Sequence, residues 1–298
     1  MTETETTIHD DAAVPVSTET SSHDSAAAAE TETTHEVTIF AEPIAHVGGF
    51  TITNSLINSW MTVLIIAVLA FVIGKKIRRI PAGLQNAFEI IVEGALKLTD
   101  SVTGSRVLSQ KVFPFIFSIF LFILVNNWLG LIPGIGSIGF LEMHDGHEVF
   151  VPFFRGATAD LNTTLALALF SVVASNIFGI IIVGAWKYFN KFINVRALVE
   201  VPMKIRKEPT TIFVNPIKFF VGLIEIIGEI AKVASLSFRL FGNVFAGEVL
   251  LSSMAVLFAF VLPIPFIFLE VVVGLIQALI FAMLTLVYFS VAAAADEH

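Results

Sequence analysis

The sequence predicts an all-α integral membrane protein: five membrane-crossing helices plus one interfacial amphipathic helix, the last two crossings forming a long slanted hairpin. Three observations carry this prediction. Of the 298 residues, 56% are hydrophobic and only 14% charged, whereas soluble domains carry about a quarter charged residues. Several runs are uncharged for long enough to cross a bilayer. Lys and Arg also gather on one side of the predicted spans. Without cysteine, neither disulfides nor thiolate–metal chemistry is available.

The net charge of −8 belongs to the N-terminus. Residues 1–42 hold ten acids and no Lys or Arg, leaving 15 acids against 17 basic residues in the remainder. Residues 1–38 are mostly Thr, Glu, Ala, Ser and Asp, which cannot bury enough apolar surface to offset their ordering entropy. Residues 1–45 therefore read as a disordered acidic arm, and 46–298 as a membrane domain. The arm lacks the basic start and apolar core of a secretory signal, and it is too acidic for a transit peptide.

The first span is expected from about Leu56 to Gly74. Lys75, Lys76, Arg78 and Arg79 follow at once, which places that end in the cytoplasm and the arm outside. Over residues 81–100, Leu84, Phe88, Ile91, Val92 and Ala95 recur at helical spacing against a polar stripe of Gln85, Glu89, Glu93 and Lys97. That pattern predicts an amphipathic helix at the cytoplasmic interface. A second span fits between Lys111 and Glu142. The stretch from Glu142 to Arg155, with His144, Asp145, His147 and Glu148, is expected as a solvated loop rather than a metal site.

A third span fits between Asp160 and Lys187, opened by the capping cluster Asp160, Asn162, Thr163 and Thr164. A basic loop follows, with Lys187, Lys191, Arg196, Lys204, Arg206 and Lys207. With alternating spans, 14 of the 17 basic residues lie on the cytoplasmic side, Arg155 lies outside, and Lys232 and Arg239 fall within the membrane. Pro216 is expected to open the next helix, and no proline interrupts it before Pro263 and Pro265. A helix that long, roughly 70 Å, cannot stand upright in about 30 Å of hydrocarbon. It must slant or bend, as must the over-long run from Pro265 to Ala295.

The long helix carries the chemistry. Ser235, Arg239 and Asn243 lie four apart and share a face; Lys232 and Glu225 extend it toward the cytoplasm. A guanidinium does not escape its charge by deprotonating, and charge in hydrocarbon costs at least ~2.5–3.5 kcal/mol. Arg239 is too far from either helix end to reach the interface by extending its side chain. Glu248, nine residues on, points the other way. On the last helix, Glu270 and Gln277 share a face. A turn near residue 258 would bring Arg239 level with Gln277, and Glu248 level with Glu270. Two such carboxylates raise each other's proton affinity. Plainer roles stand beside these. Glu248 could pair with Lys232 or Arg239, Glu270 could be a solvated acid at the outer interface, Asn243 and Gln277 could join helices by hydrogen bonds, and Gly242 and Gly247 could permit close helix contact.

Ser235-Leu236-Ser237-Phe238-Arg239-Leu240-Phe241-Gly242-Asn243-Val244-Phe245-Ala246-Gly247-Glu248 closely resembles the signature of subunit a of F-type ATP synthases. Gln277-Ala278-Leu279-Ile280-Phe281 with Leu284-Thr285-Leu286-Val287-Tyr288 is similar to that family's final helix. Asn126-Asn127-Trp128-Leu129-Gly130-Leu131-Ile132-Pro133-Gly134 and Ala159-Asp160-Leu161-Asn162-Thr163-Thr164-Leu165 are similar to two further motifs. The resemblance covers roughly residues 50–298.

It implies a bacterial inner-membrane stator subunit, not an enzyme on its own, with its N-terminus outside and its C-terminus in the cytoplasm. Two offset half-channels would carry protons to and from carboxylates on a rotating c-subunit ring. By the resemblance, Arg239 is the essential charge, and Ser235, Asn243, Glu248 and Gln277 border the proton path. Glu270 stands where some relatives have histidine. The implied partners are the c-ring, the b-subunit peripheral stalk, the remaining synthase subunits and the lipid bilayer, with no nucleic acid. No cofactor or metal is expected, and no phosphate-binding glycine loop is present, so ATP chemistry would belong to other chains. The alternatives are a secondary transporter using Arg239 for an anionic substrate, for which no internal repeat is evident, and a purely structural membrane subunit.

Overall fold

The computed structural model describes residues 39–75, 83–134, 138–144, 147–192, 211–257 and 263–294. The arm through residue 38, Lys76, Arg78, Arg79, Asp145, the basic stretch from Arg196 to Lys207 and the turn near residue 258 lie outside them. In chain order the elements are β1 (Pro43–Val47), β2 (Phe50–Thr53), α1 (Asn54–Lys75), α2 (Leu84–Thr103), α3 (Arg106–Gly130), β3 (Gly139–His144) and β4 (His147–Pro152). A 3-10 turn (Ala157–Ala159), α4 (Leu161–Val183), α5 (Ala185–Phe192), α6 (Thr211–Leu257) and α7 (Pro263–Ala294) complete the order.

Among these, α1, α3, α4 and α7 are long and apolar enough to cross a membrane. At 47 residues α6 is longer than any of them, about 70 Å, and it carries Glu225, Glu229, Lys232, Arg239 and Glu248 along its length. It begins at Thr211, so Pro216 sits in its second turn rather than opening it.

Among the described residues, two antiparallel hairpins interrupt the predicted all-α fold. Val47 pairs with Phe50 across Gly48 and Gly49, whose φ values of 56° and 88° suit the positive-φ turn of a two-residue hairpin. The stretch from Glu142 to Arg155, expected as a loop, is largely strand: β3 and β4 pair from Gly139 with Pro152 to His144 with His147. Pairing satisfies the backbone groups of this connection, and its brief two-residue periodicity is inconspicuous beside the long apolar runs on either side.

Helix ends follow local chemistry. Thr53 Oγ1 accepts from the Leu56 amide of α1 at 3.4 Å, and Asp160 Oδ1 accepts from the Asn162 amide of α4 at 3.2 Å; both satisfy otherwise unpaired first-turn donors. Gly104 ends α2 in the left-handed region (φ 65°) while its amide bonds the Asp100 carbonyl. On the exposed face of α2, Lys97 pairs with Glu93 at 3.1 Å, while Phe88 packs edge-on against Phe117 of α3.

The core lies among α3, α4, α6 and α7. Ile119, Ile123 and Leu124 meet Ala168, Leu236, Leu240, Ala278 and Phe281. A second cluster joins Val112 and Ile116 to Ala282, Leu286 and Phe289. Polar side chains are buried within the same bundle. Asn126 accepts from Asn58 Nδ2 at 3.2 Å and from the Ala157 amide at 2.9 Å, and donates to Thr62 Oγ1 at 3.3 Å. Both the oxygen and the nitrogen of the Asn126 amide are thereby paired, which is the condition for burying it in a dry interior.

Candidate functional site

Arg239 lies on a face of α6 that the rest of the chain leaves open. Its neighbours Leu236 and Leu240 are buried against Ala278 and Phe281 of α7, while Ser235, Phe238, Arg239, Gly242, Asn243 and Ala246 are exposed. The core contacts thus point Leu236 and Leu240 inward and turn the arginine outward at core depth. Arg239 Nη2 donates to Ser235 Oγ at 3.3 Å, and among the described residues no carboxylate pairs with the guanidinium. Gln277 is buried on α7 directly before Ala278. Its neighbour Ala278 shares a core cluster with Leu236 and Leu240, the neighbours of Arg239, though no hydrogen bond joins Gln277 to Arg239 among the described residues.

Glu248 and Glu270 face the opposite way. Both line a cavity of about 210 Å³ together with Asn127, Arg155, Val244 and Ser252, space for several waters. Glu270 is buried, and its carboxyl lies against the backbone at Gly247, where a Cβ would overlap it. Glycine is required there by close approach. At Gly242 a Cβ would meet nothing within 4 Å.

Glu248 is paired with neither Lys232 nor Arg239. Arg155 Nε donates to Glu248 Oε1 at 3.0 Å and to Oε2 at 3.2 Å, and Nη2 donates to Oε2 at 3.0 Å. The Arg155 side chain is 5% exposed, and its Nη1 donates to the Phe40 carbonyl at 3.1 Å. Phe40 and Glu42, which the sequence reading leaves in the arm, are thereby tied to the bundle; Glu42 also bonds Asn54 through its amide at 3.2 Å and its carboxylate at 3.3 Å.

Side chains of α3 set the height of Glu270. Asn127 Nδ2 donates to the Gly274 carbonyl at 3.2 Å, and Trp128 Nε1 donates to the Val271 carbonyl at 3.1 Å. Thr158 Oγ1 in turn donates to Asn127 Oδ1. These bonds clamp α7 to α3 one turn beyond Glu270, and Gly274 lets the Asn127 side chain come close.

A second polar cluster lies further along α6, toward its N-terminus. Lys232 Nζ pairs with Glu229 Oε1 at 2.6 Å and stands 5.2 Å from the Tyr288 ring centroid. Asn176 of α4 donates to Glu229 Oε2 at 3.2 Å and accepts from the Tyr188 hydroxyl of α5. Burial, then the negative charges of Glu229 and Glu225, push the Tyr188 hydroxyl up to about 12, so it serves as a neutral donor.

Comparison with known proteins decides what this arrangement belongs to. The family model described as ATP synthase A chain matches residues 56–290. The chain belongs to the ATP synthase A chain family. It is 35% identical over 255 residues to ATP synthase subunit a of Syntrophobacter fumaroxidans, covering 84% of this chain and 87% of that one. It is 32% identical to ATP synthase subunit a of Campylobacter concisus over 80% of this chain and 88% of that one. With ATP synthase subunit a of Mycobacterium tuberculosis it shares 33% over 83% and 89%. As a member of this family the chain is the non-catalytic, proton-translocating membrane subunit of the F-type ATP synthase stator, which displaces the transporter reading.

Sequence reasoning about this family member passed over Arg155, Asn176, Tyr188 and Glu229. Arg155 was available as the one basic residue outside the cytoplasmic and membrane groups. Asn176 was available as an amide deep in an apolar run, and Glu229 as the acid three residues before Lys232. None of these signals names a partner.

Proposed function

We propose that the chain presents two offset aqueous half-channels to a rotating c-subunit ring, with Arg239 as the fixed positive charge between them. The observation that carries this reading is the outward-turned, acid-free guanidinium of Arg239 at core depth, on the side of α6 away from Glu248 and Glu270. A ring carboxylate arriving there finds a cation that cannot deprotonate. Ser235 steadies the guanidinium from one turn below, and Asn243 offers an amide one turn above. Gln277 borders the path at the same height.

The cavity holding Glu248 and Glu270 is the outer half-channel. The cluster of Glu229, Lys232, Asn176 and Tyr188, with Glu225 beyond it, belongs to the inner one. A proton entering by the outer route neutralises a ring carboxylate, and a neutral carboxyl faces lipid far more cheaply than a charged one. The ring turns until that carboxyl reaches the other route and releases its proton. Arg239 stabilises the resulting carboxylate and repels protons crossing directly between the routes. Each proton moving down 100 mV supplies about 2.3 kcal/mol.

In this reading α6 is the fifth crossing, slanted with α7 as a hairpin, and α2 lies along the cytoplasmic interface. The membrane is the bacterial inner membrane, with the acidic arm of residues 1–45 outside, the membrane domain following it, and the C-terminus in the cytoplasm. The b-subunit stalk and the remaining synthase subunits hold the chain against the turning ring.

Arg239→Ala in the whole complex tests the reading. ATP-driven proton pumping into inverted vesicles should vanish, while passive proton flow through the membrane sector persists. Retained ATP-coupled pumping would refute the role.

A further inference from the structure

Two carboxylates share the outer cavity, and they are held differently. Glu248 takes three hydrogen bonds from the Arg155 guanidinium. Glu270 borders the same cavity but accepts no hydrogen bond and has no cation among the described residues. We infer that Arg155 is a positioning residue of the proton path: it locks Glu248 as a standing carboxylate, leaving Glu270 as the one acid of this cavity that takes up and releases the proton. The inference rests on the half-channel reading above and assigns unequal duties within it.

A bidentate pair with arginine is among the stronger charge-assisted contacts, and guanidinium never gives up its proton. Protonating Glu248 would remove the negative partner from three charge-assisted hydrogen bonds in a largely buried site, and breaking such a pair from one side is the expensive case. Nothing comparable opposes a proton on Glu270. In the step itself, a hydronium ion in the cavity gives a proton to a Glu270 oxygen: one of its O–H bonds breaks, leaving water, and one O–H bond forms on the carboxyl. That bond breaks when the proton passes on toward the ring carboxylate, and Glu270 returns to its starting charge.

The charged groups facing the cavity are Arg155 from the connection after β4, Glu248 from α6 and Glu270 from α7. From α3 comes the neutral amide of Asn127. Asp160, at the head of α4, is taken up by Ser55, Thr163 and the Asn162 amide. Phe40 anchors the far side of Arg155 through its carbonyl, so the guanidinium is held from two directions.

The test uses the whole ATP synthase in inverted membrane vesicles and reads ATP-driven proton uptake per assembled complex. Arg155→Gln takes the guanidinium from Glu248, Glu248→Gln takes the carboxylate from Arg155, and each should lower the rate about tenfold or more. Arg155→Lys should recover part of it. The double variant R155Q/E248Q removes both charges and should return to within about threefold of the unaltered complex, the non-additivity expected of a coupled pair. Glu270→Gln should stay low in both backgrounds. A double variant as slow as Glu248→Gln alone overturns the inference, because Glu248 would then be carrying protons itself.

Charge-keeping variants cover the case of failed assembly. Glu270→Asp should displace the pH profile of pumping, while Glu248→Asp should leave it in place; the reverse pattern overturns the inference. Arg239→Ala assayed in parallel separates the two levels. Pumping retained there sinks the half-channel reading, whereas a profile displaced by Glu248→Asp sinks only the division of labour.

Discussion

Gly247→Ala should damage proton transfer through a single methyl group. The added Cβ would overlap the Glu270 carboxyl, all three of whose terminal atoms are the nearest neighbours of that position. Those atoms end a flexible side chain beside a cavity of about 210 Å³, so the carboxyl swings away and the helices stay. Overpacking of this kind costs about 1–3 kcal/mol. The larger effect is positional: about 1 Å of displacement at a reacting group can cost on the order of a hundredfold in rate. ATP-driven proton uptake per assembled complex reads the loss. Gly247→Ala combined with Glu270→Asp withdraws the carboxyl by one methylene and should recover much of the rate. Gly242→Ala, whose Cβ meets nothing within 4 Å in this chain, serves as a comparison for the bundle's stability. Unchanged pumping in Gly247→Ala, or a double variant slower than both single ones, would refute the reasoning.

Asn126→Leu should weaken the bundle, because it strips a partner from the Asn58 amide and from the Ala157 backbone N–H, each costing about 1–3 kcal/mol when left unpaired in the interior. The thermal midpoint of the detergent-solubilised complex should fall, and an unchanged midpoint would contradict the network's role. Tyr188 should remain protonated until about pH 12. Burial raises its pKa above the ordinary phenol value of 10.0, so the stability that this phenol contributes is fully present below pH 10 and is lost as the pH climbs toward 12. The tyrosinate absorbance difference between unaltered and Tyr188→Phe complexes should therefore emerge near pH 12; a difference complete by pH 10 would count against the burial of this hydroxyl.

Periodicity made part of the site legible. Ser235, Arg239 and Asn243 share a face because four residues make about one turn, and Glu248 falls opposite them by the same geometry. The expected levelling of Glu248 with Glu270 follows from two helices of equal rise running antiparallel from a turn between them. Both line one cavity. That a cation 93 residues earlier in the chain closes on Glu248 was not legible, because no local pattern links the two. Both hairpins escaped notice as well. Four to six residues per strand give too short an alternation to stand out between long apolar runs.

The sequence by itself determined that the chain lives in a membrane, where its apolar runs fall, and that a charge which cannot be neutralised sits deep within one of them. These properties are local: hydropathy, helical repeat and the permanence of a guanidinium need no knowledge of neighbours. Only the tertiary structure decided which acid Arg155 grips, which acid Gly247 makes room for, and that Arg239 is left facing outward. Those outcomes depend on which helix faces come together, and the apolar side chains that bring them together carry no label for the polar groups they bring along.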